Sequence, residues 1–248
     1  MSDKTEWLGY FVGWEERSFD FGVGADGESL LHPKKSGDRG GHKEVVIRFI
    51  IEEEVGGKWV RRQFLKEAGL ESKNEKGIDP KKPIVLVTTV TGDTKVEWTF
   101  ALVRKKMVLK PKLIEKKTEN NIRVGVEFAL SRLYRFDTEP DKKELKKKVG
   151  SDYVRGTRLK DAKKVRVKFT DIDDDITSEE FLQDGASAVE VKSQGILGTT
   201  FIVENAAEKS GRIDIVTKGP LYNSFKFNWY ADMEKLGEKD TYVIFGME

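Results

Sequence analysis

Apolar and polar residues alternate with a period of two along most of this chain, the signature of half-buried strands. Glu6–Gly13 and Arg17–Val23 alternate on either side of a short polar break and predict a hairpin. Val45–Ile51 and Lys58–Leu65 are joined through Gly56-Gly57, a dipeptide suited to a two-residue turn. Ile84–Val90 and Thr94–Phe100 predict a further hairpin around Thr91-Gly92-Asp93. Ile122–Phe128 opens the second half, and strands follow near 187–192, 199–204, 212–217, 224–230 and 241–245.

Other stretches lack this period. Gly24–Gly41 is dense in Gly, Asp and Lys and predicts a long loop. Residues 67–82 are polar and end among prolines, which predicts a second loop. Lys110–Asn121, rich in Lys and Glu around Pro111, has the composition of a linker, with Met107–Leu109 and Leu113–Ile114 as short apolar fragments. One surface helix is predicted over Thr138–Val149, with Thr138 as cap, Pro140 in the first turn and an apolar face of only Leu145 and Val149. Thr177–Glu180 has capping-box spacing ahead of Phe181-Leu182, and Gly185 suits the end of that single turn.

A faint echo links the two halves. Lys43–Phe49, the acidic run Glu52–Glu54, and Phe64-Leu65 with Gly69 recur in order as Lys163–Phe169, Asp173–Asp175, and Phe181-Leu182 with Gly185. Phe19-Asp20 and Phe136-Asp137 stand upstream of each copy. A repeat of this length is a domain rather than a solenoid unit. The expected fold is therefore mainly β: two tandem antiparallel sandwich-like or barrel-like domains, 1–115 and 116–248, with one or two short helices.

Composition narrows the classes. At 248 residues with 38% hydrophobic and 35% charged residues, the chain can bury a substantial core beneath a well-hydrated surface. The absence of cysteine excludes disulfides, thiolate catalysis and Cys-based zinc sites. No apolar run approaches the ~20 residues of a membrane helix, so no membrane insertion is expected. The N-terminus lacks a signal-peptide pattern, so a cytoplasmic location is expected, with export after removal of a leader left open. Charge is polarised along the chain. Residues 104–168 carry 22 basic and 9 acidic side chains, whereas residues 169–248 carry 7 and 16. Either the two signs meet on one folded surface, or they form a basic face for a polyanion, or they join copies head to tail.

Candidate chemistry is sparse. His32 and His42, with Asp26, Glu28 or Asp38, are the only route to a His-based metal site, and their spacing matches no structural zinc pattern. Asp171, Asp173, Asp175, Thr177 and Glu179 alternate like the first half of a calcium loop. Ile176 and Leu182 stand where an EF-hand needs Gly and Glu, so only a looser calcium site between β-loops survives. No other cofactor is expected. Trp14, beside Glu15-Glu16-Arg17, is the tryptophan expected on the surface as a ligand-stacking residue, while Trp98 and Trp229 are expected in the core. Lys105, Lys106, Lys146, Lys147, Lys148 and Lys164 form the candidate basic face. The run 142–148 has no interleaved aromatic residue, which disfavours nucleic acid as a partner.

No phosphate-binding loop or nucleophile elbow is present. The leading expectation is a non-enzymatic structural or assembly protein that associates with copies of itself or other subunits through complementary charged faces. A glycan- or calcium-binding β-module and a carboxylate-based hydrolase are the alternatives.

Overall fold

The computed structural model describes residues 10–24, 28–34, 44–65, 70–72, 82–130, 141–170, 181–194, 197–207, 210–216, 225–238 and 241–248. Seventeen strands are described: β1 (Tyr10–Glu15), β2 (Phe19–Gly24), β3 (Glu28–Pro33), β4 (Val45–Val55), β5 (Lys58–Arg61), β6 (Leu70–Ser72), β7 (Ile84–Val90), β8 (Thr94–Val103) and β9 (Lys106–Glu115) precede β10 (Ile122–Leu130). Helix α1 (Lys142–Val149) follows, then β11 (Tyr153–Arg158), β12 (Lys164–Lys168), β13 (Ala186–Ser193), β14 (Thr199–Asn205), β15 (Gly211–Ile215), β16 (Phe225–Ala231) and β17 (Val243–Met247).

Pairing is antiparallel throughout and builds one large curled sheet with two arms. In the first arm the order is β1-β2-β3-β4-β10-β16-β15. In the second it is β6-β7-β8-β9-β17-β14-β13-β11-β12. Among the described residues, the pairing of Ala186 with Ile213 joins them at one edge, and a bridge from Phe64, just beyond β5, to Val90 of β7 joins them at another. The short β5 continues the edge of β4 beyond β3, returning through Gly56 and Gly57 at φ +59° and +76°, the left-handed values a two-residue hairpin turn requires.

Period-two alternation gives each arm one apolar face, and the two faces meet. Phe49 of β4 stacks on Trp98 of β8 with ring centroids 4.3 Å apart. Phe21 of β2 meets Phe245 of β17 edge-on at 5.5 Å. Phe128 of β10 touches Phe245 and Phe201 of β17 and β14, at 5.4 and 5.8 Å. Buried indoles keep a polar partner: Trp98 Nε1 donates to Thr88 Oγ1 at 2.9 Å and Trp229 Nε1 to Asn205 Oδ1 at 2.8 Å, the latter bond crossing between arms.

The mainly antiparallel β reading holds, as do the hairpins at β1–β2, β4–β5 and β7–β8. The expected loop over 24–41 contains β3, which pairs with both β2 and β4. The expected linker is half strand: β9 runs unbroken to Glu115, with Pro111 opposite Trp98. The helix begins at Lys142 rather than near Pro140, because the Asp141 carboxylate caps the Glu144 amide; Thr138 and Pro140 lie outside the described residues. Val149 is buried and Leu145 packs on the core, as its apolar face requires.

The pairing does not confirm a duplication. Val45–Phe49 lies in a long strand with β10 on one side and β3 and then β5 on the other. Its counterpart, Lys164–Lys168, is a five-residue strand that among the described strands pairs only with β11. Strands on either side of residues 115/116 also pair with each other, β4 with β10 and β9 with β17. The charge segments likewise meet within the molecule. Lys106 Nζ lies 3.1 Å from Glu204 and 3.0 Å from Glu248, and Arg155 bonds Glu190.

Glu53 ties the crossover between the arms. Its Oε1 accepts from Thr118 Oγ1 and Asn120 Nδ2, both at 2.6 Å, and its Oε2 accepts from Arg62 Nε at 2.6 Å. The Thr118 and Asn120 bonds, with Arg62, hold this buried carboxyl at about 2. The folded value lies below the unfolded one, so this stabilisation is present above the ordinary carboxylate range and is lost as pH falls toward about 2. Urea midpoints measured between pH 7 and about 2 should therefore fall for the natural chain, and fall less steeply over the acidic window for Glu53→Gln.

Candidate functional site

The outer face of the first arm carries ordered polar rows. Directly opposed residues in antiparallel strands share a face, so register alone aligns Glu28, Arg48, Glu127, Asn228 and Asp214 across β3, β4, β10, β16 and β15. Arg48 bonds Glu28 at 2.8 Å and Glu127 at 3.2 Å, and Arg61 approaches the second Glu127 oxygen at 3.5 Å. Arg212 holds Asp214 Oδ2 through Nε at 3.0 Å and Nη2 at 2.7 Å. Asn228 Nδ2 donates to the Tyr230 hydroxyl at 3.0 Å. The remaining oxygens, Asn228 Oδ1 and Asp214 Oδ1, are buried without a hydrogen-bond partner.

The next row aligns Ile50, Gly125, Tyr230 and Arg212. A Cβ at Gly125 would lie 2.8 Å from Tyr230 Cδ1 and 2.3 Å from the Trp229 carbonyl oxygen, so the missing side chain is what admits the tyrosine ring over the sheet. One row further, Arg61, Glu52 and Arg123 oppose one another, and Arg123 Nε bonds Glu52 at 2.5 Å. The Arg123 guanidinium lies 4.2 Å from the centre of the Tyr230 ring and 4.5 Å from that of Trp59. Each such contact is worth about 0.5–1 kcal/mol when exposed and more when desolvated. Burial, with the Glu52 charge second, pushes the Tyr230 phenol above its ordinary value, so it stays a neutral hydroxyl.

Beside this stack opens a cleft of about 610 Å³, lined by Trp59, Arg123, Leu159, Arg212, Tyr230 and Asp232 among others. Its size falls in the range of small-molecule sites. Trp59 is 39% exposed, in contrast to the fully buried Trp98 and Trp229. The lining therefore offers aromatic surface together with the Asp232 carboxylate and two arginines already held by Glu52 and Asp214.

The residues singled out from sequence are not the ones the fold brings together here. Trp14, expected on the surface, is 2% exposed and packs against Phe21 and Phe100, with centroids 5.6 and 6.0 Å away. Alternation along β1 turns it inward despite its charged neighbours. Asp171, Asp173, Asp175, Thr177 and Glu179 lie outside the described residues, as do His42, Asp26 and Asp38. His32 sits 3.5 Å from Glu44, and Glu28 belongs to Arg48. Among the described residues, no group of three or more candidate ligands is placed to hold a metal ion. Lys105 is exposed in the β8–β9 turn, Lys106 is paired with Glu204 and Glu248, and Lys164 is exposed on β12. Lys146, Lys147 and Lys148 lie on α1, the last bonded to Glu144 at 3.2 Å. No helix among the described residues is long and apolar enough to cross a membrane.

Gly125→Ala should cost about 1–3 kcal/mol through overpacking, because the new methyl meets backbone at one side and the tyrosine ring at the other. The check is a urea titration, with altered Trp59 emission expected as Tyr230 is displaced beneath Arg123.

No family profile matches the sequence, and no curated protein does. Solved structures do share the fold. The α-N-acetylgalactosaminidase of Bifidobacterium bifidum matches in its GalNAc complex at TM-score 0.59 and 8% identity. Its Gal-NHAc-DNJ complex matches at 0.61 and 9%. Each match covers 96% of this chain but 36% of that enzyme's chain. At such identity the likeness is one of fold.

Proposed function

We propose that this chain is a non-enzymatic glycan-binding β-module that takes a sugar in the cleft beside Trp59, Arg123 and Tyr230. The observation that carries the reading is the stack itself. Arg123 contacts both rings while Glu52 holds its guanidinium, leaving a partly exposed indole at the edge of an open cleft. A pyranose has apolar C–H faces and a rim of hydroxyls, and it is matched by aromatic surface bordered by fixed donors and acceptors. Arg212 and Asp232 supply such groups in the cleft lining.

Arginines engage the nearby carboxylates Glu52, Glu127 and Asp214, which suits them to anchor the donors of a binding surface. The structures of similar fold come from an enzyme that handles N-acetylgalactosamine, which makes that sugar the first probe to try. Because Lys106 and Arg155 find acidic partners within the chain, an account based on binding is preferred to one based on charge-driven assembly.

Titration calorimetry and Trp emission with N-acetylgalactosamine, galactose and oligosaccharides ending in them should show binding. Trp59→Ala should weaken it about tenfold, or ~1.4 kcal/mol, with little change in melting temperature. An oligosaccharide panel with no binder, or equal affinity in Trp59→Ala and Arg123→Gln, would count against the cleft.

A further inference from the structure

A second surface stands on the other arm, at the edge farthest along its strand order. The sequence Lys164-Val-Arg166-Val-Lys168 makes β12, and its three cations are exposed on one face while the valines turn inward. Register carries that face across β11 and β13. Lys168 lies opposite Tyr153, which lies opposite Lys192; Arg166 lies opposite Arg155, which lies opposite Glu190. The Tyr153 ring sits amid the charges, with Arg166 4.0 Å, Arg155 5.7 Å and Lys192 5.9 Å from its centre. Glu190 bonds Arg155, whereas Lys164, Arg166, Lys168 and Lys192 have no acidic partner among the described residues.

Folding does not call for this arrangement. Like charges directly opposite each other, as Arg155 and Arg166 are, destabilise a strand pair. Lysine on an outermost strand does discourage edge-to-edge aggregation. That purpose accounts for β12, but not for Lys192, which lies two strands inward on β13. We propose that the β11–β12–β13 face binds an anionic polysaccharide. Cations at alternate strand positions recur roughly every 6.6–6.8 Å and form a straight array about 13 Å long from Lys164 to Lys168. An extended chain bearing sulfate or carboxylate on successive sugars can follow such an array. Nucleic acid fits less well: a single-strand surface stacks successive bases on several aromatic rings, and the described residues of this face offer one, Tyr153 beneath Arg166.

The test is affinity for dextran sulfate, measured against neutral dextran and against a single-stranded oligonucleotide of matched charge. The polysaccharide should bind with salt-sensitive affinity, neutral dextran should not, and the oligonucleotide should bind more weakly. Arg166→Gln/Lys192→Gln keeps Lys164 and Lys168 to guard the edge and should lower dextran sulfate affinity at least about tenfold near 0.1 M salt, with a shallower salt dependence. Replacing Lys146, Lys147 and Lys148 by Gln should leave affinity within about twofold. Trp59→Ala should not change it, which separates this surface from the cleft. No dextran sulfate binding, an oligonucleotide that binds as tightly, or unchanged affinity in the folded double variant would overturn the proposal.

Discussion

The contact between two apolar sheet faces is the constraint on which the rest of this molecule depends. Among the described residues the backbone ladder joins the arms only at Ala186–Ile213 and at the Phe64–Val90 bridge, so their relative position is set chiefly by interdigitated aromatics. Phe49 against Trp98, Phe21 against Phe245, and Phe128 against Phe201 and Phe245 span the interface from end to end. Aromatic pairs add about 0.5–1.5 kcal/mol each beyond the area they bury. They also fix orientation, since close-packed rings tolerate little sliding. The buried indoles add direction, because the Trp229 N–H must find Asn205 on the facing arm.

That packing decides which side of each strand is left for function. With Val124, Val126 and Phe128 turned inward, Arg123, Gly125 and Glu127 must face out. The same parity places Asn228 and Tyr230 outward on β16, with Phe227 and Trp229 inward. The cleft is thus a by-product of core alternation on strands far apart in sequence. Gly125, on a strand otherwise rich in β-branched and aromatic residues, is a position where the outer surface dictates the residue.

Much of the fold was legible from alternation and turn chemistry, because both are local. Strands from β13 to β17 lie within a few residues of their expected positions, and the Gly56-Gly57 turn is where it should be. The misses have particular causes. β11 was hidden by Gly156, which breaks the apolar period; a Cβ there would press on Leu182 Cδ2 at 2.2 Å. β9 was hidden by Pro111 and its lysines. The inward turn of Trp14 was masked by charged neighbours that point the other way. The site was illegible for a different reason: Arg123 meets Tyr230 only because β10 pairs with β16, and meets Trp59 only because the β4–β5 hairpin flanks the same surface. No local signal marks a contact between residues 107 positions apart.

The tethering of the crossover at Glu53 has a further meaning for how this chain tolerates change. Residues 116–121 carry the backbone from one layer to the other, and Thr118, Asn120 and Asn121 all bond back to β4, the last through Glu54 at 2.9 Å. Surface loops ordinarily accept inserted residues at small entropic cost. Here an insertion would release several bonds at once and strand a buried carboxylate, so grafted peptides or new termini belong at other turns of the molecule.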